Sequence, residues 1–314
     1  MRSVVVVGVA CILAASVSGC RTPLYPGGLG GVRPETFDAP RRSGVPVPAD
    51  APQTDEEKQA AAARRVEEGD AAWKDRADPA AQERALTLYD EAALLVPSVA
   101  VFVKLARAHH LAGETALVRG GAEAALASFD RGVVAAERAL GLSSPEFVKA
   151  VRAGTAFDDA VQRVDPAAAP ELYWFAANLG RWARGKGLYA SFLVRDRVKA
   201  AMRQVLALDP DYAGAAAHRY FGAYYALSPL FAGRDLGRAE SHFREALSRS
   251  PSSLANRVTM ADTLAVKRGD RALFERLLKD VLATDTTLDP ETAPEQELEK
   301  LKAERMLARV SRLF

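Results

Sequence analysis

Ala239-Glu240-Ser241-His242-Phe243-Arg244-Glu245-Ala246-Leu247-Ser248-Arg249-Ser250-Pro251 is the stretch that decides the fold. Its alanines, phenylalanine and proline stand at offsets 0, 4, 7 and 12, and Ala85, Tyr89, Ala92 and Pro97 repeat those offsets. On an α-helix, offsets 0, 4 and 7 share one face. Small residues there let a second helix come close, the aromatic fills the gap between them, and proline stops the element. Two looser copies follow the same plan. Val198, Met202 and Val205 precede Leu208-Asp209-Pro210, while Gly269-Asp270 marks a turn ahead of Phe274, Leu278 and Val281. A unit that recurs in this way cannot bury its apolar face alone and must stack on its neighbours. The expected class is all-α, a helical-hairpin array.

The flanking sequence agrees. From Asp55 onward Ala, Leu, Arg and Glu dominate, all strong helix formers, and apolar residues recur at three and four, as in Ala85-Leu88-Tyr89-Ala92-Ala93-Val96. Pro97, Pro145, Pro210, Pro251 and Pro290 each follow an amphipathic run, where a helix must end. No alternating strand pattern of useful length occurs. The offsets match the second helix of a tetratricopeptide repeat (TPR), although the tryptophan and glycine of the consensus first helix are poorly kept. Pro210 and Pro251 are 41 residues apart. One repeat therefore carries about seven extra residues, expected at Ser228-Pro229-Leu230-Phe231-Ala232-Gly233.

Upstream, Arg2 and the apolar run Val4 to Val17 form a secretory leader too short to span a bilayer as a mature helix. It ends in Val17-Ser18-Gly19-Cys20, which resembles the lipobox of bacterial lipoproteins. The expected organisation is a signal peptide over 1–19, a lipidated Cys20 and Pro/Gly-rich linker over 20–54, and a helical domain over 55–314. Arg21 to Pro52 holds seven Pro and five Gly in 32 residues, too little apolar surface to offset ordering. Such a tether spans on the order of 30 Å. Arg21 after the cysteine, where the enterobacterial sorting rule would place an inner-membrane Asp, favours an outer-membrane address.

Processing at Cys20 leaves no free thiol, since Cys11 departs with the leader. That removes disulfides, cysteine metal sites and cysteine nucleophiles together. The formal charge of +2 is no basic excess of the kind that grips phosphates, so no nucleic-acid partner is expected. No Walker A, GxSxG, HExxH, SxxK or CxxC motif occurs in the mature chain. His109 and His110 point about 100° apart on a helix and cannot share an ion. His242 sits beside Phe243 on a repeat helix with a solvated face, and a surface or partly buried role is expected of all four histidines, His218 included. The carboxylates alternate with arginine on polar faces, and Asp262 reads as an inter-helix hydrogen-bonding group. Neither enzyme chemistry, nor a metal, nor a cofactor is expected.

The local anomaly is aromatic. Tyr173, Trp174, Phe175, Trp182, Tyr189 and Phe192 crowd into twenty residues of a chain with 7% aromatics, and Tyr220, Phe221, Tyr224 and Tyr225 form a second group. Trp174, Asn178 and Trp182 share a helix face at spacings of four. Rings with polar tips suit a half-wet groove on the concave side of an array. Trp174, Asn178, Trp182, Tyr220 and Tyr224 are therefore the candidate ligand- or partner-contacting residues, expected to be open to solvent on one side. The competing expectation is that these rings fill gaps between alanine-rich helices.

Beyond the repeat, the order and spacing of several stretches resemble the T component of tripartite ATP-independent periplasmic (TRAP) transporters. They are Leu86 to Pro97, Phe129-Asp130-Arg131-Gly132, Ser144-Pro145-Glu146-Phe147, Leu172 to Ala177 and Leu206 to Pro229 with Tyr220-Phe221-Gly222-Ala223-Tyr224-Tyr225. Gly233, Asp235, Ala239, Phe243, Ala246, Asp270, Phe274, Leu277-Leu278, Val281-Leu282 and the terminal Arg312-Leu313-Phe314 continue it. The resemblance implies a membrane-anchored periplasmic scaffold of TPR-like hairpins. It further implies a homo-trimer that associates with the periplasmic substrate-binding subunit of a TRAP transporter and passes it an apolar small molecule. The alternative is a generic TPR lipoprotein serving protein–protein interactions in envelope or outer-membrane assembly.

Overall fold

Where alanine marks a helix crossing, two backbones approach and the neighbouring aromatic meets whatever the opposite helix offers. In the computed structural model, which describes Pro52 and residues 54–314, it offers glycine. Helices α1 (Asp55–Lys74) and α2 (Pro79–Leu95) form the first hairpin, α3 (Val99–Val118) and α4 (Ala122–Ser143) the second. A Cβ on Gly69 of α1 would stand 2.7 Å from the Tyr89 ring of α2, and one on Gly113 of α3 would stand 2.5 Å from Phe129 of α4. Both rings are almost wholly buried. The first-helix glycine that the sequence suggested was poorly kept is thus present in function, read off from contact rather than from consensus position.

A short excursion follows: α5 (Pro145–Arg152), α6 (Phe157–Ala160) and a 3₁₀ turn, Val161–Arg163. Pro145 opens α5 at its first turn, where its missing N–H costs nothing. The third hairpin pairs α7 (Ala169–Lys186) with α8 (Leu188–Leu208), and the fourth pairs α9 (Tyr212–Leu227) with α10 (Leu236–Arg249). On α10, Ala239, Phe243 and Ala246 are fully buried, and Phe243 packs on Gly222 of α9, whose added Cβ would lie 2.8 Å away. The extra residues between these helices hold a 3₁₀ turn, Leu230–Ala232, ended by Gly233 at φ 94°. That is where the repeat length placed them.

The fifth hairpin begins with α11 (Leu254–Met260), widens through a π-turn at Ala261–Ala265 and finishes as α12 (Val266–Arg268). Gly269 at φ 68° turns the chain and Asp270 caps α13 (Arg271–Ala283) by accepting the Leu273 N–H. Phe274, Leu278 and Val281 are buried as their spacing demanded. Then α14 (Ala293–Leu307) and the short α15 (Val310–Leu313) close the chain, with Phe314 packing edge-on to Phe274. The described residues contain helices and no strand, an all-α helical-hairpin array. None of their helices is long and apolar enough to cross a membrane. The leader and Cys20 lie outside the described residues.

One helix departs from stacking order. Although α14 follows the last hairpin, its side chains reach the first two. Glu295 receives Arg76 and Arg107, Lys302 reaches Glu114, and Arg305 donates to the Val118 carbonyl, partners 187 to 219 residues away in sequence. It also packs on α3, α11 and α13. The array therefore curves far enough for α14 to bridge the first two hairpins and the fifth.

Candidate functional site

Helix α7 carries the first aromatic group into the interior. Trp174 is 8% exposed and donates its indole N–H to the Tyr212 hydroxyl at 3.0 Å. Tyr173 meets both rings edge-on. Asn178, one turn on, is fully buried, and its amide donates to the Ala106 carbonyl of α3 at 3.1 Å and the Trp174 carbonyl at 2.8 Å. Gly132 of α4 makes room for it, since a Cβ there would lie 2.5 Å from the Asn178 side chain. Trp182 is buried as well, with the Lys186 ammonium over its ring. A ligand-lining role would have left Trp174, Asn178 and Trp182 open on one side; the folded chain places all three inside, as the gap-filling reading requires. The reason is α3 and α4, which cover that face of α7. Burial also pushes the Tyr212 hydroxyl up to about 12, against the pull of the Trp174 hydrogen bond.

Tyr220 and Tyr224 sit differently. Both are half-buried on α9, their rings 6.0 Å apart, with Lys199 of α8 over Tyr224 at 5.1 Å. Burial raises the Tyr220 hydroxyl above its ordinary range, and the neighbouring Tyr224 and Asp196 add to the shift. Of the five ring and amide candidates, these two keep partial access to solvent.

A polar network joins α3, α7 and α14 beside the buried rings. Glu114 of α3 pairs with Arg181 of α7 and, at 2.7 Å, with Lys302 of α14, which also holds Glu299 at 2.6 Å. Burial alone would raise the Glu114 carboxyl, but Lys302 and Arg181 outweigh it and hold the group well below the usual carboxylate range. His110, one turn earlier, is wedged between the rings of Phe129 and Trp174 at 5.6 and 5.4 Å. Burial lowers its imidazole to about 4 despite the opposing pull of Glu114. Sequence reasoning passed over this cluster because its members are dispersed and each reads singly as a charge on a solvated face. Asp262, which the sequence assigned to an inter-helix hydrogen bond, lies exposed in the π-turn with Arg184 at 3.9 Å. A groove of about 560 Å³ opens between α1 and α3, lined by Val66, Asp70, Lys74, Val101 and Lys104 among others.

The internal turns of the third and fourth hairpins expose large apolar residues. Leu188, Tyr189 and Phe192 open α8 with exposures of 92, 67 and 66%, and Leu230 and Phe231 in the α9–α10 loop reach 79 and 95%. In a stack of hairpins these turns fall on one edge. The aromatic cluster of the sequence is thus split. Tyr173, Trp174, Phe175 and Trp182 are core, whereas Tyr189 and Phe192 face solvent.

The model of the TRAP transporter T-component family matches residues 99–314, from the start of α3 to the last residue. The chain belongs to that family. No curated protein matches it. The matched span contains the aromatic interior, the Glu114 network, the apolar edge and the closing helix α14, and it omits α1 and α2. As a T component, the chain is an accessory element of a TRAP transporter, a role that supplies a membrane-associated periplasmic setting and does not belong to an enzyme class.

Proposed function

We propose that this T component is a lipid-anchored periplasmic scaffold that docks the substrate-binding subunit of its TRAP transporter on the apolar edge formed by Leu188, Tyr189, Phe192, Leu230 and Phe231. The observation that carries the reading is the exposure of these five large apolar residues at the internal turns of adjacent hairpins, since exposed apolar surface of this kind marks a protein contact. Cys20 holds the anchor and the linker over 20–54 gives the helical domain over 55–314 its reach. Tyr220 and Tyr224, which keep partial access, are proposed as the contact for an apolar small molecule. Trp174, Asn178 and Trp182, which α3 and α4 cover, are left out of that contact.

The test is capture of the substrate-binding subunit from envelope extract by the tagged T component, with Phe231→Asp and Phe192→Asp as variants. Both should lose capture while melting close to the wild-type temperature, because neither side chain is buried. Full capture by both variants would overturn the edge as the docking face. The anchor is tested separately by Cys20→Ser, which should move the protein into the soluble periplasmic fraction. Carbonate-resistant membrane association of that variant would refute lipidation at Cys20.

A further inference from the structure

The fourth hairpin brings together two histidines that the sequence keeps 24 residues apart. His218 projects from α9 and His242 from α10, and their Nδ1 atoms are 3.1 Å apart. Both are half-buried, so solvent reaches them. The rings are held in place. His242 lies over Phe221 at 5.4 Å and over Tyr225 at 5.7 Å, with interplanar angles of 29° and 18°. Phe243, the next residue on α10, is locked against Gly222.

Imidazole nitrogens bind zinc at about 2.0–2.1 Å. Two such bonds in a tetrahedron set the nitrogens about 3.4 Å apart, and bonds at a right angle set them about 2.9 Å apart. The observed 3.1 Å lies between these, so the two nitrogens already stand at the separation that two ligands of one ion take up. The charges around the pair also suit a cation. Asp211 and Glu245 both act on His218, and Arg249, paired to them at 3.0 and 2.7 Å, offsets them in part. Among the described residues no third His, Cys, Asp or Glu completes a cluster, so water takes the remaining positions.

We infer that His218 and His242 form a two-imidazole site for a divalent transition-metal ion of the zinc–copper–nickel class, bridging α9 to α10. Neutral imidazole is the donor suited to these ions, with Cu²⁺ the tightest of the series. The ion would brace the hairpin that carries Tyr220, Tyr224 and the Leu230–Phe231 turn, and the inference does not depend on the docking proposed for that turn.

The experiment titrates the untagged full chain with CuCl₂ and ZnCl₂, reading binding by calorimetry and, for Cu²⁺, nitrogen hyperfine coupling by electron paramagnetic resonance. One ion per chain with two coordinating nitrogens is expected, with a metal-dependent rise in melting temperature because the ion binds only the folded pair. His218→Gln and His242→Gln should each weaken binding by more than the roughly 10–100-fold that loss of an outer-shell partner costs. The resonance signal of the wild-type protein decides the matter even where a variant folds poorly. No saturable binding, or a single-nitrogen signal, would leave the pair as an inter-helix hydrogen bond and overturn the site.

Discussion

At residues 213 to 215 the backbone does what side chains other than glycine avoid. Ala213, Gly214 and Ala215 stand at φ 51°, 70° and 57°, a left-handed turn at the start of α9. For an alanine this conformation costs roughly 1–2 kcal/mol, and it persists because neighbours hold it. Asn256, fully buried, donates to the Gly214 carbonyl at 3.1 Å and the Ala246 carbonyl at 3.0 Å, and accepts from Arg219 at 2.8 Å. Ala213 is exposed, so Ala213→Gly relieves strain without opening a cavity. Thermal melts should show a gain of about 0.5–1 kcal/mol, and a loss would mean the turn is not left-handed in solution. Asn256→Ala should cost about 1–3 kcal/mol through the carbonyls it strands. His110 supplies a pH dependence at the same scale. Its folded value of about 4 lies below the ordinary 6.5, so between those values the unfolded chain takes a proton that the folded chain refuses. Stability from this group is complete above pH 6.5 and falls as pH drops towards 4. The loss by pH 5 is at most about 2 kcal/mol, and melts of His110→Gln beside wild type at pH 7.5 and 5 should show the variant less sensitive. Equal sensitivity would remove His110 as the cause.

At the scale of the element, the small–aromatic–small stripe was legible because everything it needs is local. Ala239, Phe243 and Ala246 declare both a helix face and the closeness of its partner. The glycine they meet was harder to see, because Gly222 precedes the stripe across an intervening loop. Contact with Phe243 identifies it. Gly222→Ala should therefore overpack the hairpin, costing about 1–3 kcal/mol. Gly180 on α7 is the contrast, since an added Cβ there meets only Val198 at an ordinary 3.8 Å. Gly180→Ala should stabilise by about 0.5–1 kcal/mol, the usual gain in a helix interior. Opposite signs in urea melts are expected, and the same sign for both would argue against close hairpin packing at Gly222. Aromatic density, by comparison, does not reveal its own direction. Trp174 and Phe192 look alike in sequence, yet one is covered by α3 and α4 and the other begins α8 beyond their reach. Which rings face solvent is set by neighbours distant in the chain, and no local pattern carries that information.

For the whole molecule, the decisive contact was the least legible. Glu295 reads as one more charge on a solvated helix, while in the fold it is where α14 docks on the first two hairpins. Arg76, 4% exposed in its side chain, donates Nε to Glu295 at 3.0 and 3.1 Å and Nη2 at 2.8 Å, and Arg107 adds a bond at 3.0 Å. Both guanidiniums lie over the Trp73 ring, at 4.9 and 5.3 Å. Because Arg76 is buried and Arg107 is not, removing the carboxylate strands one charge in the interior and leaves the other to water. Glu295→Gln should cost about 3 kcal/mol, the scale for breaking a buried pair from one side. Arg76→Met with Glu295→Met removes both charges at similar volume and should recover most of that loss. Hydrogen exchange locates the effect: in Glu295→Gln the amides of α14 should exchange faster, with α9 and α10 unchanged, since repeats couple mainly to their neighbours. If Glu295→Gln melts like wild type and α14 stays protected, the bridge between the ends contributes nothing, and curvature of the stack alone brings them together.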